Sequence, residues 1–259
     1  LDFTSYDPND IITDVSVNSI KGENEDCGFK NITISGKSSN CFINTVFTEA
    51  SNLKFDNVKI VVPNNQSLKS VNGIIGVNQG NSNHLTFKNC SITGENNGYA
   101  KLYSTVYTGM ICKNGGDVSD ITAEGITIKA KAENSASNST PTLREAYIGG
   151  VVSYPTSSVH NITAKNMNID GQYCSSVGGI IGYAQKKSTG TVYISNLKLN
   201  ADSNNRNSIY GSRYVGGVAG RISGLSLYDS VAENANVGVP SGRESDYYKD
   251  DTNYEDGAY

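Results

Sequence analysis

The chain has 259 residues, a formal net charge of −4 and no tryptophan, but it has 16 tyrosines and 27 glycines. Its length suffices for a sizeable core, and its charge excludes a basic field for nucleic acid. No apolar run approaches the roughly 20 residues of a membrane-spanning helix, so direct membrane insertion is not expected. This polar, tyrosine-bearing composition is typical of an extracellular protein.

The N-terminal segment, residues 1–26, is acidic and does not match the pattern that follows it. The exposed end of a stacked β-fold needs a cap, and we expect this segment to supply it.

From residue 27 onward the chain repeats an eight-residue stretch, whose clearest copy is Leu85–Ile92. Apolar residues stand at the first, third, sixth and eighth places, which predicts two short strands with one buried face. The fifth place holds residue types that tolerate a positive φ, and we expect left-handed corners there that stack in one file. These corner residues are Asn31, Asn57, Asn89, Gly125, Asn166, Asn196 and Asp229.

A second block, apolar and mostly flanked by glycine, precedes each copy after the first and predicts a third, fully buried strand. The blocks are Cys41–Asn44, Gly73–Gly76, Gly109–Cys112, Gly150–Ser153, Gly179–Gly182 and Gly217–Gly220. Units of roughly 35 residues without a helical pattern indicate a solenoid. The prediction is an all-β, single-domain parallel β-helix over residues 27–236, with about seven coils and a right-handed turn.

The residue before each corner forms an outward column of alternating charge. It reads Lys30, Asp56, Lys88, Glu124 and Lys165, followed by Ser195 and Tyr228. In a parallel stack each charge faces its opposite in the next coil, so we interpret the column as register control rather than as a site.

Connections of variable length all leave the stack along one edge, and in repeat proteins such insertions often mark the binding face. They carry tyrosines, which are favoured contact residues at interfaces. The candidate ligand-binding residues are Tyr99, Tyr103, Tyr147, Tyr173, Tyr210 and Tyr214. The alternative, strongest for Tyr107 and Tyr214, is that such rings only pack over the glycine block.

The sequence predicts no catalytic residue, metal site or cofactor. No column carries acids on neighbouring coils, and the two histidines, His84 and His160, fall at a polar corner without a nucleophile. The cysteines lack zinc spacing and are expected to be core thiols, with a Cys27–Cys41 disulfide as the alternative.

The C-terminal segment, residues 237–259, is rich in acids. It is expected to be a solvated acidic tail or the start of a further segment, and we expect the chain to be part of a longer protein.

The run Gly73–Gly80 followed by Leu85–Gly94 resembles the GLUG repeat, as do Gly178–Gly182 and Gly216–Gly220. That repeat occurs in bacterial surface and adhesin-like proteins and in N-terminal regions of immunoglobulin A metalloproteases. The resemblance implies a secreted or wall-attached β-solenoid. The zinc motif His-Glu-x-x-His is absent from the chain, so no peptidase role is carried over.

These features favour a non-catalytic cell-surface or secreted binding or stalk module, adhesin-like, whose loops meet a host or cell-surface protein or glycan. One alternative is a polysaccharide-active β-helix lyase or hydrolase. The other is a passive structural spacer.

Overall fold

The computed structural model describes residues 15–24, 26–35, 40–65, 70–102, 105–132, 144–186, 192–202 and 205–243. They form a parallel β-helix, as predicted. The strands are β1 Val15–Lys21, β2 Gly28–Ser35, β3 Asn40–Val62, β4 Val71–Asn78, β5 Asn81–Lys88, β6 Ser91–Gly94, β7 Ala100–Leu102, β8 Val106–Thr108, β9 Ile111–Asn114, β10 Val118–Glu124, β11 Thr127–Ala132 and β12 Arg144–Gly149. They continue with β13 Val152–Pro155, β14 Val159–Lys165, β15 Asn168–Gln172, β16 Cys174–Gly178, β17 Ile181–Gln185, β18 Ile194–Asn200, β19 Asn207–Gly211, β20 Tyr214–Gly216, β21 Ala219–Ser223, β22 Leu227–Tyr228, β23 Val231–Ala232 and β24 Ala235–Gly238.

Strands of successive coils pair in parallel and build four stacks. The first stack runs from β3 through β5, β10, β14 and β18 to β22. The second runs from β2 through β3, β6, β11 and β15 to β19 and β24. The third contains β8, β12, β16 and β20, and the fourth contains β9, β13, β17 and β21. The sequence pattern predicted three strands in each unit, and the third stack is the additional one.

A file of left-handed residues forms the corner between the first and second stacks, as predicted. It contains Asn31, Asn57, Asn89, Gly125 and Asn166, with φ of 60°, 55°, 53°, 67° and 55°. The flanking residues pair in register from coil to coil. Nδ2 of Asn57 donates a hydrogen bond to Oδ1 of Asn31 at 2.9 Å, so the first two members are also joined through their side chains.

The prediction was wrong for the sixth and seventh copies, because Asn196 and Asp229 belong to a different file. His160 pairs with Ser195 and Ile162 with Leu197, which places Asn196 over Asn161 instead of Asn166. This second file lies within the first stack, two to three residues after its strands begin pairing. All its members are left-handed: Asn52, His84, Asp120, Asn161, Asn196 and Asp229. Nδ2 of Asn161 donates to Asp120 at 3.0 Å, and Nδ2 of Asn196 donates to Asn161 at 2.9 Å.

Inward columns fill the interior with like side chains. Phe29, Phe55 and Phe87 stack with ring centroids 5.7 and 5.3 Å apart, and Phe55 and Phe87 are fully buried. The column continues as Ala123 and Ala164. Four of the cysteines are buried and all five are free thiols, as in the core interpretation.

The outward charge column is aligned as predicted from Lys30 to Lys165. Nζ of Lys88 lies 3.8 Å from the Glu124 carboxylate. Ser195 and Tyr228 are not its next members, because they follow His160 in another column.

At the ends of the described stack lie β1 and the strands β22–β24. The strand β1 pairs in parallel with β3, and it belongs to the segment expected to cap the helix. The rest of that segment and most of 237–259 lie outside the described residues. Within the described ranges, no helix has the length and apolar character that crossing a membrane requires.

Candidate functional site

A tight bend between the third and fourth stacks brings two strands of each coil close together. Gly149, Gly178 and Gly216 pair in register at this bend. A Cβ atom at Gly149 would lie 2.1 Å from the carbonyl oxygen of Val152, and the other two positions are as crowded. Only glycine lets the strands approach this closely, so outward side chains from both strands meet over the bend.

The side chains that meet there are tyrosines, which we call the tyrosine face. It consists of Tyr107, Tyr147, Tyr154, Tyr183 and Tyr214. The rings of Tyr147, Tyr154 and Tyr183 are 6%, 7% and 8% exposed and form an aromatic cluster separate from the main core. Since Ile148 packs in the core, its neighbour Tyr147 points to the outside of the coil.

The rings contact one another along and across the two stacks. Centroid distances are 5.5 Å between Tyr107 and Tyr147 and 5.2 Å between Tyr147 and Tyr183. Tyr154 lies 5.0 Å from Tyr107 and 5.6 Å from Tyr183. Aromatic pairs at such distances and tilts are mutually stabilising by about 0.5–1.5 kcal/mol each.

Cations cover both ends of the face. Nζ of Lys113 lies 4.1 Å from the centroid of Tyr107. At the other end the guanidinium of Arg221 lies 4.8 Å from Tyr183 and 5.1 Å from Tyr214. These are cation–π distances, and they hold the long side chains along the surface while their charges still face water.

A third cation, Arg213, lies 5.0 Å from the ring of Tyr214. We call Lys113, Arg213 and Arg221 the cation rim. Glu145 carries the opposite charge, and its carboxylate raises the pKa values of Tyr107 and Tyr147. The rim therefore places three cations beside this surface on a chain whose net charge is −4.

The hydroxyls of Tyr107 and Tyr147 stay protonated near neutral pH because their pKa values are raised. Burial raises the pKa of Tyr147 well above its ordinary value, and the Glu145 carboxylate raises it further. Burial likewise raises the pKa of Tyr107, with smaller effects from Tyr154 and Glu145. The hydroxyl of Tyr154 donates to Oε1 of Gln185 at 2.7 Å.

Of the predicted ligand-binding residues, Tyr147 and Tyr214 lie on the tyrosine face. Tyr99 does not, because its hydroxyl donates to Oδ2 of Asp170 at 2.6 Å and accepts from Arg243 at 2.8 Å. Asp170 belongs to β15 in the second stack and is 5% exposed. This contact therefore joins the insertion that carries Tyr99 to the side of the helix.

The remaining predicted tyrosines are separate from the face. Tyr173 has a φ of 55° and lies under Lys131, whose Nζ is 5.5 Å from the ring centroid. Tyr210 pairs in register with Asp170 in the second stack. Tyr103 lies outside the described residues. Whether any of these six residues binds a ligand stays a prediction.

Sequence reasoning missed Tyr154, Tyr183 and all three members of the cation rim, although a signal exists for four of these five residues. Each stands four places after the first residue of a predicted block: Lys113, Tyr154, Tyr183 and Arg221. Lys113 pairs with Tyr154, and Tyr183 pairs with Arg221. The predicted binding tyrosines lie in the insertions, whereas this column lies just after the blocks.

No group of three or more His, Cys, Asp or Glu side chains among the described residues is placed to hold a metal ion. No known protein family, curated protein or solved structure matches the chain. The tyrosine face is therefore interpreted from its own geometry.

Proposed function

We propose that the protein is a non-catalytic, adhesin-like binding module of a cell surface or a secreted protein, which meets its ligand on the tyrosine face. The supporting observation is the gathering of five tyrosines and three cations on the outside of one bend. Tyrosine and arginine are the residues that most often dominate binding surfaces, because they give large contact area and hydrogen bonds.

The position of the face supports the same proposal. It adjoins the edge from which the insertions leave the stack, and variable connections beside a rigid solenoid commonly form its binding surface. The resemblance of the glycine blocks to GLUG repeats favours a bacterial, extracellular setting. The ligand is then a protein or glycan of a host or of another cell surface.

The test is binding of the 259-residue chain to arrays of cell-surface proteins and glycans, compared with two single variants. Tyr214→Ala removes a partly exposed ring from the face. Tyr228→Ala removes a ring that is 55% exposed elsewhere and is the matched control. We expect Tyr214→Ala to weaken capture of the bound ligand about 10-fold, as for an interface anchor, and Tyr228→Ala to leave it unchanged.

The same arrays separate the alternatives. New reducing ends or unsaturated products from a glycan would favour the polysaccharide-active enzyme. A chain that captures nothing would favour the passive spacer, and equal losses in the two variants would remove the tyrosine face from the proposal.

A further inference from the structure

Two buried cysteines converge within the early coils of the helix. Cys41 is the first residue of its block, Cys112 is the last residue of the block two coils later, and both are fully buried. Cys41 pairs in register with Gly73, and the pairing of the next coil places Cys112 level with Gly76. The coil between the two cysteines, which we call the middle coil, therefore carries glycine at both of the equivalent positions.

The glycines of the middle coil make room for the two thiols. A Cβ atom at Gly73 would lie 2.6 Å from Sγ of Cys112, and one at Gly76 would lie 2.8 Å from Sγ of Cys41. The thiols also contact each other: burial raises the pKa of Cys112 well above its ordinary value, and a hydrogen bond with the Cys41 thiol raises it further. Two sulfur atoms therefore meet from the coils on either side of the middle one.

Buried polar side chains without a partner lie next to these positions in the chain. Asn72 precedes Gly73, Thr108 precedes Gly109, and Asn72 pairs in register with Thr108. Both side chains are fully buried, and among the described residues neither amide atom of Asn72 nor Oγ1 of Thr108 has a hydrogen-bond partner. Such atoms in a native structure call for an explanation such as a bound ion, a bound water or a redox role. They support a ligand in this part of the helix independently of the thiols.

The separation of the two coils is too long for a disulfide and fits a bridging metal ion. Two coils are about 9.6 Å along the axis, whereas a disulfide requires Cα atoms within about 7 Å of each other. A metal ion between the sulfurs replaces one S–S bond of about 2.0 Å with two metal–sulfur bonds of about 2.3 Å each. The bridge becomes up to about 2.6 Å longer, which is enough to join the two coils.

The ligand set selects the metal. Thiolates favour soft ions, among which Cu(I) and Zn²⁺ are common in proteins. Zinc sites are tetrahedral, and in the part of the chain that the structure describes no third His, Cys, Asp or Glu side chain joins the two thiols. Cu(I) needs only two thiolates in a linear arrangement, so it is the ion that this pair suits.

We propose that Cys41 and Cys112 together form a binding site for one Cu(I) ion, which joins three successive coils. Binding forms two Cu–S bonds and releases the two thiol protons to solvent, and neither copper nor sulfur changes its oxidation state. The site is enclosed, so it is filled as the chain folds. It lies apart from the tyrosine face and does not depend on the proposed binding function.

The experiment refolds the whole chain from urea with Cu(I) under anaerobic conditions, and a chromophoric Cu(I) chelator then removes loosely held ions. Cys27, the one partly exposed cysteine, is replaced by alanine in every sample so that it cannot supply a ligand. We expect one retained copper per chain, two Cu–S bonds by X-ray absorption spectroscopy, and a higher urea midpoint, because the ion binds only the folded chain. Zn²⁺, which needs further ligands, should leave the midpoint unchanged.

Alanine variants locate the site. Cys41→Ala and Cys112→Ala should each lower the affinity for Cu(I) by more than about 100-fold, since even the groups that support a metal ligand contribute about 10–100-fold. Cys90→Ala and Cys174→Ala are the matched controls, because these buried thiols pack within the main core. Both controls should retain one copper per chain and the raised urea midpoint.

A chain that yields all its copper to the chelator would overturn the proposal, as would an equal loss of copper in either control. Oxidation of the metal-free chain with diamide, followed by peptide mass spectrometry, tests the spacing of the thiols. Recovery of Cys41 and Cys112 as free thiols supports the copper site. A disulfide between them would show that the sulfurs bond directly, and a redox pair would then replace the metal site.

Discussion

Asparagine at the corners of this solenoid meets two requirements at once. Asn57 has a φ of 55°, a conformation that costs other L-residues roughly 1–2 kcal/mol. Its Nδ2 also donates to Oδ1 of Asn31 in the preceding coil at 2.9 Å. Glycine would satisfy the backbone alone, as Gly125 does in the same file. Side-chain bonds between adjacent coils, which also occur from Asn161 to Asp120 and from Asn196 to Asn161, favour asparagine over glycine.

Two substitutions at Asn57 separate these contributions. We expect Asn57→Gly to lower the free energy of unfolding by about 1 kcal/mol, the net value of a hydrogen bond. Asn57→Ala should lower it by about 2–3 kcal/mol, because it loses the same bond and is strained at positive φ. Urea unfolding measures both. Asn168→Ala, at an exposed strand position, is the control and should change little; equal losses for Gly and Ala would contradict the role of backbone strain.

The same residue-scale reasoning predicted the left-handed corners but only part of the tyrosine face. The corners were readable because asparagine or glycine recurs between fixed apolar positions, as at Asn89 and Gly125. Tyr154 and Tyr183 were not identified because each follows a buried block, where an aromatic ring fits the core as well as the surface. Their outward direction follows from the glycine bend, whose geometry the sequence alone does not specify.

At the scale of the strand, the register of β18 could not be predicted because two corners require the same sequence pattern. Asn161 and Asn166 are both left-handed and both are flanked by inward apolar residues. Ile194, Leu197 and Leu199 therefore fit either position around Asn196. The structure places them over Val159, Ile162 and Ala164, and the pairing with the second stack resumes with Ser208 over Asn168.

The alternating charge column should oppose a slip of one coil. Lys88 lies between Asp56 and Glu124 in register, with Glu124 3.8 Å from its Nζ. Lys88→Gln should cost at most about 1 kcal/mol, since these pairs are exposed. Lys88→Glu should cost about 1–2 kcal/mol, because it places three carboxylates on adjacent coils.

Urea unfolding at low and high salt measures the two variants. The difference between Lys88→Glu and Lys88→Gln should shrink as salt screens the repulsion, since the Debye length falls to about 3 Å at 1 M. A difference that is absent at low salt would mean that the column does not influence stability.

For the whole molecule, the fold was predictable because each coil places its residues in the same environments as the last. Periodic patterns then report the stack directly. A contact that occurs in only one place leaves no periodic pattern in the sequence. Tyr99, Asp170 and Arg243 meet although 71 and 144 residues separate Tyr99 from its partners. No repeat indicates that contact, so the sequence could not predict that the hydroxyl of Tyr99 bonds to Asp170 and Arg243. Whether Tyr99 also binds a ligand stays a prediction.

Buried thiol and phenol groups, which are neutral when protonated, should make the free energy of unfolding fall at alkaline pH. Burial raises the pKa of Cys90 to about 12 and also raises the pKa values of Cys112, Cys174 and Tyr147. The folded chain therefore binds these protons more tightly than the unfolded chain does. Their contribution to stability is complete below pH 9.0, the ordinary thiol value, and is lost as pH rises through the folded-state pKa values.

The acid limb should be shallower, because the carboxyls with lowered pKa values include Glu49 and Asp202, whose ion pairs are exposed and screened by water. Urea midpoints from acid to alkaline pH measure both limbs.

Tyr147→Phe keeps the ring and removes the titrating group, so its midpoint should fall less steeply above pH 10.0 than that of the parent chain. Tyr228→Phe, which changes an exposed ring, should follow the parent. A Tyr147→Phe curve as steep as the parent's would show that this buried phenol does not drive the alkaline loss.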